Sequence, residues 1–451
     1  MKRIILVIAL LQGNVFAQST DSISLRSLSN NIMKQGTAYE NLRYLCKKIG
    51  PRLSGSVNAQ KAVEATARML KDAGADTVYL QPCMVPHWVR GEKEQGIVFY
   101  GGNKKTLNVC ALGMSVGTPS AGIKASVVEV KNFDELHSLG EAGVKGKIVF
   151  FNYPMQPGLI FGGYGDAVAY RGNSPIEAAK LGAVAVMVRS VTHALDNNPH
   201  TGATSYDSTV EKIPALACST IDAEWLSKLL GSKQPVSLFV KMSCQTLPDA
   251  PSFNVVGEIR GTEKPGEIIT AGGHLDSWDL AEGAHDDGTG IVQSIEMIRA
   301  IKASGLAPKR TIRAVMFMNE ENGTRGGMKY AELATRNSEK QIFAIESDEG
   351  GFGCVAIGLS GTTEQEDKIR QWLPLFVPYG ILAMPHGGGG TDIGELNKTG
   401  TFMSSVNPNS QRYFDHHHSA IDVFEAVNKR ELEIGAFAMA ASVWLVSEHG
   451  L

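Results

Sequence analysis

Hydrophobic and polar positions change their rhythm twice along this chain. Over 58–76, NAQKAVEATARMLKDAGAD, apolar residues recur at helical spacing and the run closes with a Gly, which predicts a helix. DTVYLQPCMVPHWVRGEKEQGIVFY (76–100) then reads as strands. Near GTPSAGIKA (117–125) the texture shifts: ASVVEV, GKIVFF, AVAVMVRSV and VSLFVKM are short β-rich runs around one helical segment, SPIEAAKLGA. From SFNVVGEIRG (252–261) onward, strand, loop and helix repeat. EIITAGG, TIRAVMFM and QIFAIES are short apolar strands, followed by the helical patterns GIVQSIEMIRAIKAS, RGGMKYAELATRN and EQEDKIRQWLPLF. Such alternation predicts an α/β layer, a mixed and mostly parallel central sheet flanked by helices. The predicted organisation is one α/β domain over 18–116 and 248–451, with a smaller β-rich insert over 117–247.

Length and composition fit this picture. At 451 residues the chain exceeds the usual size of one core. With 43% hydrophobic and 20% charged residues it is globular in composition, and a net charge of −3 gives no electrostatic basis for nucleic-acid binding. Lys2 and Arg3 precede the apolar run Ile4 to Leu11, and Val15 and Ala17 are the small residues that a signal peptidase reads before Gln18. This predicts a signal peptide over 1–17 and an exported protein, periplasmic or secreted. The run is too short to span a bilayer, and no later segment reads as a membrane span. None of the six cysteines forms a C-x-x-C pair, which argues against a thiolate zinc site. Their pairing is open: export permits disulfides, while Cys218 and Cys354 sit in apolar runs that suit buried thiols.

The chemistry gathers at strand ends. AGGHLDSWDLAEGAHDDGTG (271–290) holds His274 with Asp276, Asp279, Glu282, Asp286 and Asp287. TIRAVMFM runs into Glu320 and Glu321, and QIFAIES into Asp348 just after Glu346. Open parallel sheets form their sites outside the carboxyl ends of strands. Three such ends, plus the loop carrying Asp286, would collect several negative charges in one cleft, which is badly destabilising without cations. Imidazole with carboxylates and no thiolate fits zinc ahead of manganese or cobalt. FDHHHSAIDVF offers a further neutral ligand from His416, His417 or His418.

GGHLDSWD with GAHDDGTG, then NEENG, ESDEGG, GGTDI and HHSAID, occur in that order. This ordered set resembles the co-catalytic di-zinc peptidase family that includes aminopeptidase S and glutamate carboxypeptidase. GPRLSGS, VPHWVRGE, YRGNSPIEAAKLGAVAVMVRSV and KIPALACSTIDAEWL are similar too, so the likeness runs from about Gly50 to the C-terminus. The resemblance implies a zinc exopeptidase fold whose insert is a protease-associated cap, two zinc ions per chain, a small peptide substrate and a homodimer. Position by position it implies His274 on one zinc, Asp286 bridging both, Glu321 and Asp348 on either metal, and His418, in the HSAID pattern ending at Asp422, completing the set. Glu320 would be the general base, Asp276 would hold the His274 ring from behind, and Asp392 would support the substrate side. HGGGGTDI is one residue longer than the family loop, which leaves substrate contacts there open. SAID departs from the more usual ending and leaves the ligand His in place.

Elementary chemistry agrees on the outline. Two metals sharing a water lower its pKa, and a carboxylate between them needs a rigid loop, which Gly283 and Gly288 around Asp286 suit. Glu320 and Glu321 point apart if the strand continues, so one faces the metals and the other is free to move a proton. Asp279, Glu282 and Asp287 read as solvated loop acids, His285, His416 and His417 as loop or packing residues, and Trp278 as packing or cleft lining. His386 is a weaker candidate for the substrate side. The leading reading is an exported dipeptidase or short-peptide exopeptidase. Alternatives are an aminopeptidase on longer peptides, a single-zinc glutaminyl cyclase, and an inactive binding protein on the same fold.

Overall fold

The computed structural model describes residues 20–451 apart from 157 and 159, so the signal-peptide segment lies outside the described residues. The described strands are β1 (Thr77–Val89), β2 (Gln95–Tyr100), β3 (Asn103–Leu107), β4 (Val109–Ala111), β5 (Ile123–Val130), β6 (Ile148–Phe151), β7 (Ala185–Arg189), β8 (Ala215–Cys218), β9 (Val236–Lys241), β10 (Gln245–Ile259), β11 (Lys264–His274), β12 (Arg310–Phe317), β13 (Lys340–Glu346), β14 (Cys354–Ser360) and β15 (Phe402–Pro408). They form two mixed sheets, ordered β1-β10-β12-β11-β13-β15-β14 and β3-β2-β9-β5-β6-β7-β8-β4.

The first sheet is the predicted α/β layer. Its four inner strands, β12, β11, β13 and β15, run parallel, whereas β1/β10, β10/β12 and β14/β15 pair antiparallel. The sheet is therefore half parallel rather than mostly so. Parallel pairing holds where helical crossovers separate the strands, and the long strands β1 and β10 flank that block. Alternation sorts the two faces. Ile312, Ala314 and Met316 join a core with helices Thr20–Gln35, Val57–Asp72, Thr289–Ala303 and Lys429–His449. Val315 and Phe317 pack on the other face against Tyr330, Ala331 and Ala334 of helix Arg325–Arg336. Ser56 caps the helix Val57–Asp72 by accepting the Ala59 amide. Lys429–His449 is apolar nearly all round because it is buried, and no described helix is long and apolar enough to cross a membrane.

The second sheet begins at Gln95, earlier than the change of texture at 117, because β2 pairs with β9 and with the edge strand β3, and β4 pairs with β8. It carries three helices, Phe133–Val144, Ile160–Lys180 and Thr220–Gly231, where one was expected. The expected segment is only the end of Ile160–Lys180, whose glycines and internal Pro175 mask its period. All six cysteines are free and buried. Cys110 and Cys218 lie on adjacent strands but face opposite sides of the sheet, Cys110 with Val149 and Val186, Cys218 with Ile148 and Met187.

Candidate metal centre

Parallel pairing of β11 with β12 and β13 brings three carboxyl ends to one edge, as such sheets require. His274 closes β11, Glu320 and Glu321 follow β12, and Asp348 follows β13. The turn after β12 passes through Asn319 in the left-handed region (φ 76°). The Asn319 amide donates to Asp276 Oδ1 (2.7 Å), as does the Glu320 amide (3.1 Å). Glu321 then turns inward, its Oε1 accepting the Trp278 amide at 3.1 Å. Gly283 (φ 59°) opens the loop that delivers Asp286 ahead of helix Thr289–Ala303, and a Cβ there would strike Ser277.

Asp286 stands between two imidazoles. Its Oδ1 is 3.1 Å from His274 Nε2, and its Oδ2 is 3.1 Å from His418 Nε2. Beyond them, Asp348 lies 3.2 Å from His274 Nε2 and Glu321 lies 3.1 Å from His418 Nε2. The five residues predicted as ligands thus form two half-sites that share Asp286. Burial opposes charging the His274 ring, but Asp348 and Asp286 outweigh it and raise its pKa well above the usual value. Likewise, against burial, Glu321 and Asp286 push His418 up to about 10. Burial would raise Asp286, yet the two imidazoles hold it well below the carboxylate range. Burial, then the Asp286 charge, pushes Glu321 up to about 8, and burial raises Asp348 to about 6. Only protons offset this crowding of acids, and divalent cations would replace them. Ligand atoms of His274, Asp286 and Glu321 lie within 4.8 Å of one another, a nitrogen and oxygen donor set that fits zinc.

Two neighbours compete for the same role. His417 Nε2 is 3.8 Å from Asp286 Oδ2, and its ring stacks on His418 at 3.5 Å; burial, then the charge of His418, holds it well below the usual value. It is a packing residue. Asp287 is not a solvated loop acid: it is fully buried and accepts the amides of His274 (3.0 Å) and Gly290 (2.9 Å). Asp279 pairs with Arg90, and Glu282 with Lys47, so neither is simply solvated. His285 stacks on Phe352 and accepts the Gly351 amide. His416 bonds the Ile421 carbonyl, and Trp278 packs edge-on to Trp88 and His418.

Asp276 does not hold the His274 ring with its carboxylate. His274 Nδ1 meets the Asp276 backbone carbonyl at 3.0 Å, whereas Oδ1 is 4.0 Å away and taken by the two amides of the β12 turn. Asp392 is buried beside Glu346 with both oxygens unpartnered, close to the site but not among the residues lining the cavity, and His386 is exposed on Glu366. From the HGGGGTDI loop, Thr391 reaches the cavity.

Three supporting residues escaped the sequence reading. Arg52, fully buried, donates to the carbonyls of Leu275 (2.6 Å), Glu282 (2.6 Å) and Gly283 (2.9 Å), tying down the loop before Asp286. Asp422 accepts the amides of His285 (2.7 Å) and Asp286 (3.2 Å). Arg171, from the second sheet's helix Ile160–Lys180, enters the site: its Nη1 lies 3.4 Å from His418 Nδ1 and its Nη2 donates to the Tyr164 hydroxyl at 2.9 Å. A single Arg or Asp, in a loop or on a helix, carries no local signal; these roles arise from partners far along the chain.

The half-sites open into a cavity of about 280 Å³ whose lining includes the acids Glu320, Glu321, Asp286 and Asp348 and the aromatic residues Phe161, Tyr164 and Phe414. Arg171 is its one Lys or Arg among the described residues; it is buried, with no carboxylate partner and an unpartnered Nε. Segment 413–418 is stitched to the second unit. Thr192 Oγ1 donates to the Phe414 carbonyl (2.6 Å), His200 Nδ1 meets the His417 carbonyl (2.6 Å), and the Thr201 amide donates to the His418 carbonyl (2.9 Å).

Comparison with known proteins agrees with this arrangement. Residues 254–443 match Peptidase family M28. Carboxypeptidase Q of Bos taurus is 37% identical over 412 residues, 91% of this chain and 84% of that protein, and carboxypeptidase Q of Homo sapiens is 36% identical over the same shares. The crystal structure of a peptidase M28 precursor from Shewanella amazonensis superposes with a TM-score of 0.91 at 29% identity, over 95% of this chain and 96% of that one. A zinc aminopeptidase from Bacillus subtilis shares the fold, with a TM-score of 0.64 at 20% identity over 91% and 94% of the two chains. Both sheets are thus those of a known fold, and the chain belongs to peptidase family M28.

Proposed function

We propose that this protein is an exported di-zinc exopeptidase that hydrolyses dipeptides and short peptides with free termini. The observation that carries the reading is the pairing of two shared half-sites on Asp286 with an unpaired guanidinium, Arg171, across one small cavity. His274, Asp348 and Asp286 would hold one zinc, and His418, Glu321 and Asp286 the other. Such ions supply Lewis acidity toward a carbonyl oxygen and lower the pKa of water. Glu320 lines the cavity with no ligand role, its backbone fixed by Asp276. Its carboxylate takes a proton from the attacking water and returns it to the leaving amide nitrogen. Arg171 binds the substrate's terminal carboxylate, because a buried guanidinium with no carboxylate partner and an unpartnered Nε is costly. The second sheet and its helices act as a protease-associated cap that excludes folded proteins.

Export rests on the basic and apolar N-terminal segment, and a homodimer on the family resemblance; fractionation and light scattering test these. The catalytic reading is tested with the zinc-loaded protein on free, N-blocked and C-amidated dipeptides. Turnover of free dipeptides, lost in Glu320→Gln at unchanged metal content, supports it. Turnover that tolerates C-amidation but not N-blocking makes the protein an aminopeptidase on longer peptides. A protein that takes up no metal and cleaves nothing is a binding module.

A further inference from the structure

Part of the cavity lining is aromatic. Helix Ile160–Lys180 sets Phe161, Tyr164 and Arg171 at spacings of three and seven residues, one face of a helix, and all three line the cavity. Tyr164 stacks on Phe414 with ring centroids 4.8 Å apart, and Phe161 meets Phe414 edge-on at 5.2 Å. The Tyr164 hydroxyl is occupied by Arg171, so the wall offers ring faces rather than polar groups. Phe161 remains 42% exposed, an apolar surface open at the cavity.

We infer that Phe161, Tyr164 and Phe414 form the pocket for the side chain on the carboxyl side of the scissile bond, and that the pocket selects apolar and aromatic residues over acidic ones. This rests on the dipeptidase reading, with Arg171 on the terminal carboxylate. A carboxylate held there leaves its own residue's side chain beside Tyr164, whose hydroxyl touches the same guanidinium. An apolar side chain is then buried against Phe161 and Phe414. An acidic one brings a second negative charge to a wall whose cation is already engaged, in a cavity also lined by Glu320 and Asp348.

The test compares Ala-Phe, Ala-Leu and Ala-Glu on the wild type, Phe161→Ala and Phe161→Arg. Binding of the same dipeptides to zinc-loaded Glu320→Gln is measured by calorimetry. Phe161 is partly exposed, so both of its variants keep the wild-type melting temperature and metal content. The wild type is expected to prefer Ala-Phe to Ala-Glu by about 10- to 100-fold in kcat/KM, the range for burying one large apolar side chain. Phe161→Ala should shrink the ratio about tenfold, mainly through KM, and Phe161→Arg should raise Ala-Glu specifically. Equal use of Ala-Glu and Ala-Phe by the wild type, or an unchanged ratio in Phe161→Ala, overturns the inference while leaving the peptidase reading intact. Tighter binding of Ala-Phe without turnover of any dipeptide supports the pocket and sinks the peptidase reading.

Discussion

Asp276 acts through one oxygen. Oδ1 takes two amides of the turn that carries Glu320, so Asn at this position keeps the acceptor and Ala removes it. Two buried amides left unpaired cost about 1–3 kcal/mol each. Asp276→Ala should therefore lower stability by about 2–5 kcal/mol and loosen Glu320, whereas Asp276→Asn stays close to wild type in denaturant melts and metal content. Equal metal loss in both variants would mean that the carboxylate charge, and not the turn, is what matters. The ligand residues carry a second prediction. With Glu321 raised to about 8 and His418 to about 10, both hold protons at pH 7 when no metal is bound. Zinc must displace them, so uptake releases protons and affinity weakens as pH falls from 8 to 6; calorimetry in buffers of different ionisation enthalpy counts them. His274, Glu320, Glu321 and Asp348 were legible as polar groups at or just past the ends of apolar strands, whereas Asp286 and His418 lie in loops and were placed by the ordered motifs of the family resemblance. The same view misplaced Asp287 and Asp276, because burial and backbone acceptors do not show in residue type.

Among the elements, the loop between β11 and helix Thr289–Ala303 has its carbonyls held by one side chain, while Asp422 takes two of its amides. Arg52 satisfies three carbonyls of that loop from 0% exposure. Arg52→Met keeps the apolar stem and strands the carbonyls, and should cost about 3 kcal/mol or more. It should also weaken zinc binding, because Asp286 loses its anchorage; a chelator competition measures this, and unchanged affinity would separate the loop from the metals. The strands and helices after residue 264 were readable from period alone, since β11, β12 and β13 carry short apolar runs separated by clear helical patterns. The second unit was less readable. Its helix Ile160–Lys180 breaks its period with glycines and Pro175, and strands β2 to β4 show no local sign of which sheet they join.

For the whole molecule, the six thiols give a direct check of packing. Burial pushes Cys83 and Cys244 up to about 11 and Cys110 and Cys354 to about 12, and raises Cys46 and Cys218 further. Only the thiolate reacts, so a thiol reagent at pH 8 should label none in the native protein. All six should react after unfolding in guanidinium, and a lower count would reveal disulfides. The cavity makes a further demand on length. At about 280 Å³ it suits two residues, so kcat/KM should fall about tenfold or more from dipeptide to tetrapeptide; equal rates would mean the cap swings clear.

The three bonds from Thr192, His200 and Thr201 to the carbonyls of 414, 417 and 418 join cap and metal loop as one piece. His418 cannot stay behind when that piece lifts. On the di-zinc reading, a hinged opening would carry His418 away from Asp286 and Glu321, so metal retention would fall with the frequency of opening and a bound product that holds the two units together would keep the ion in place.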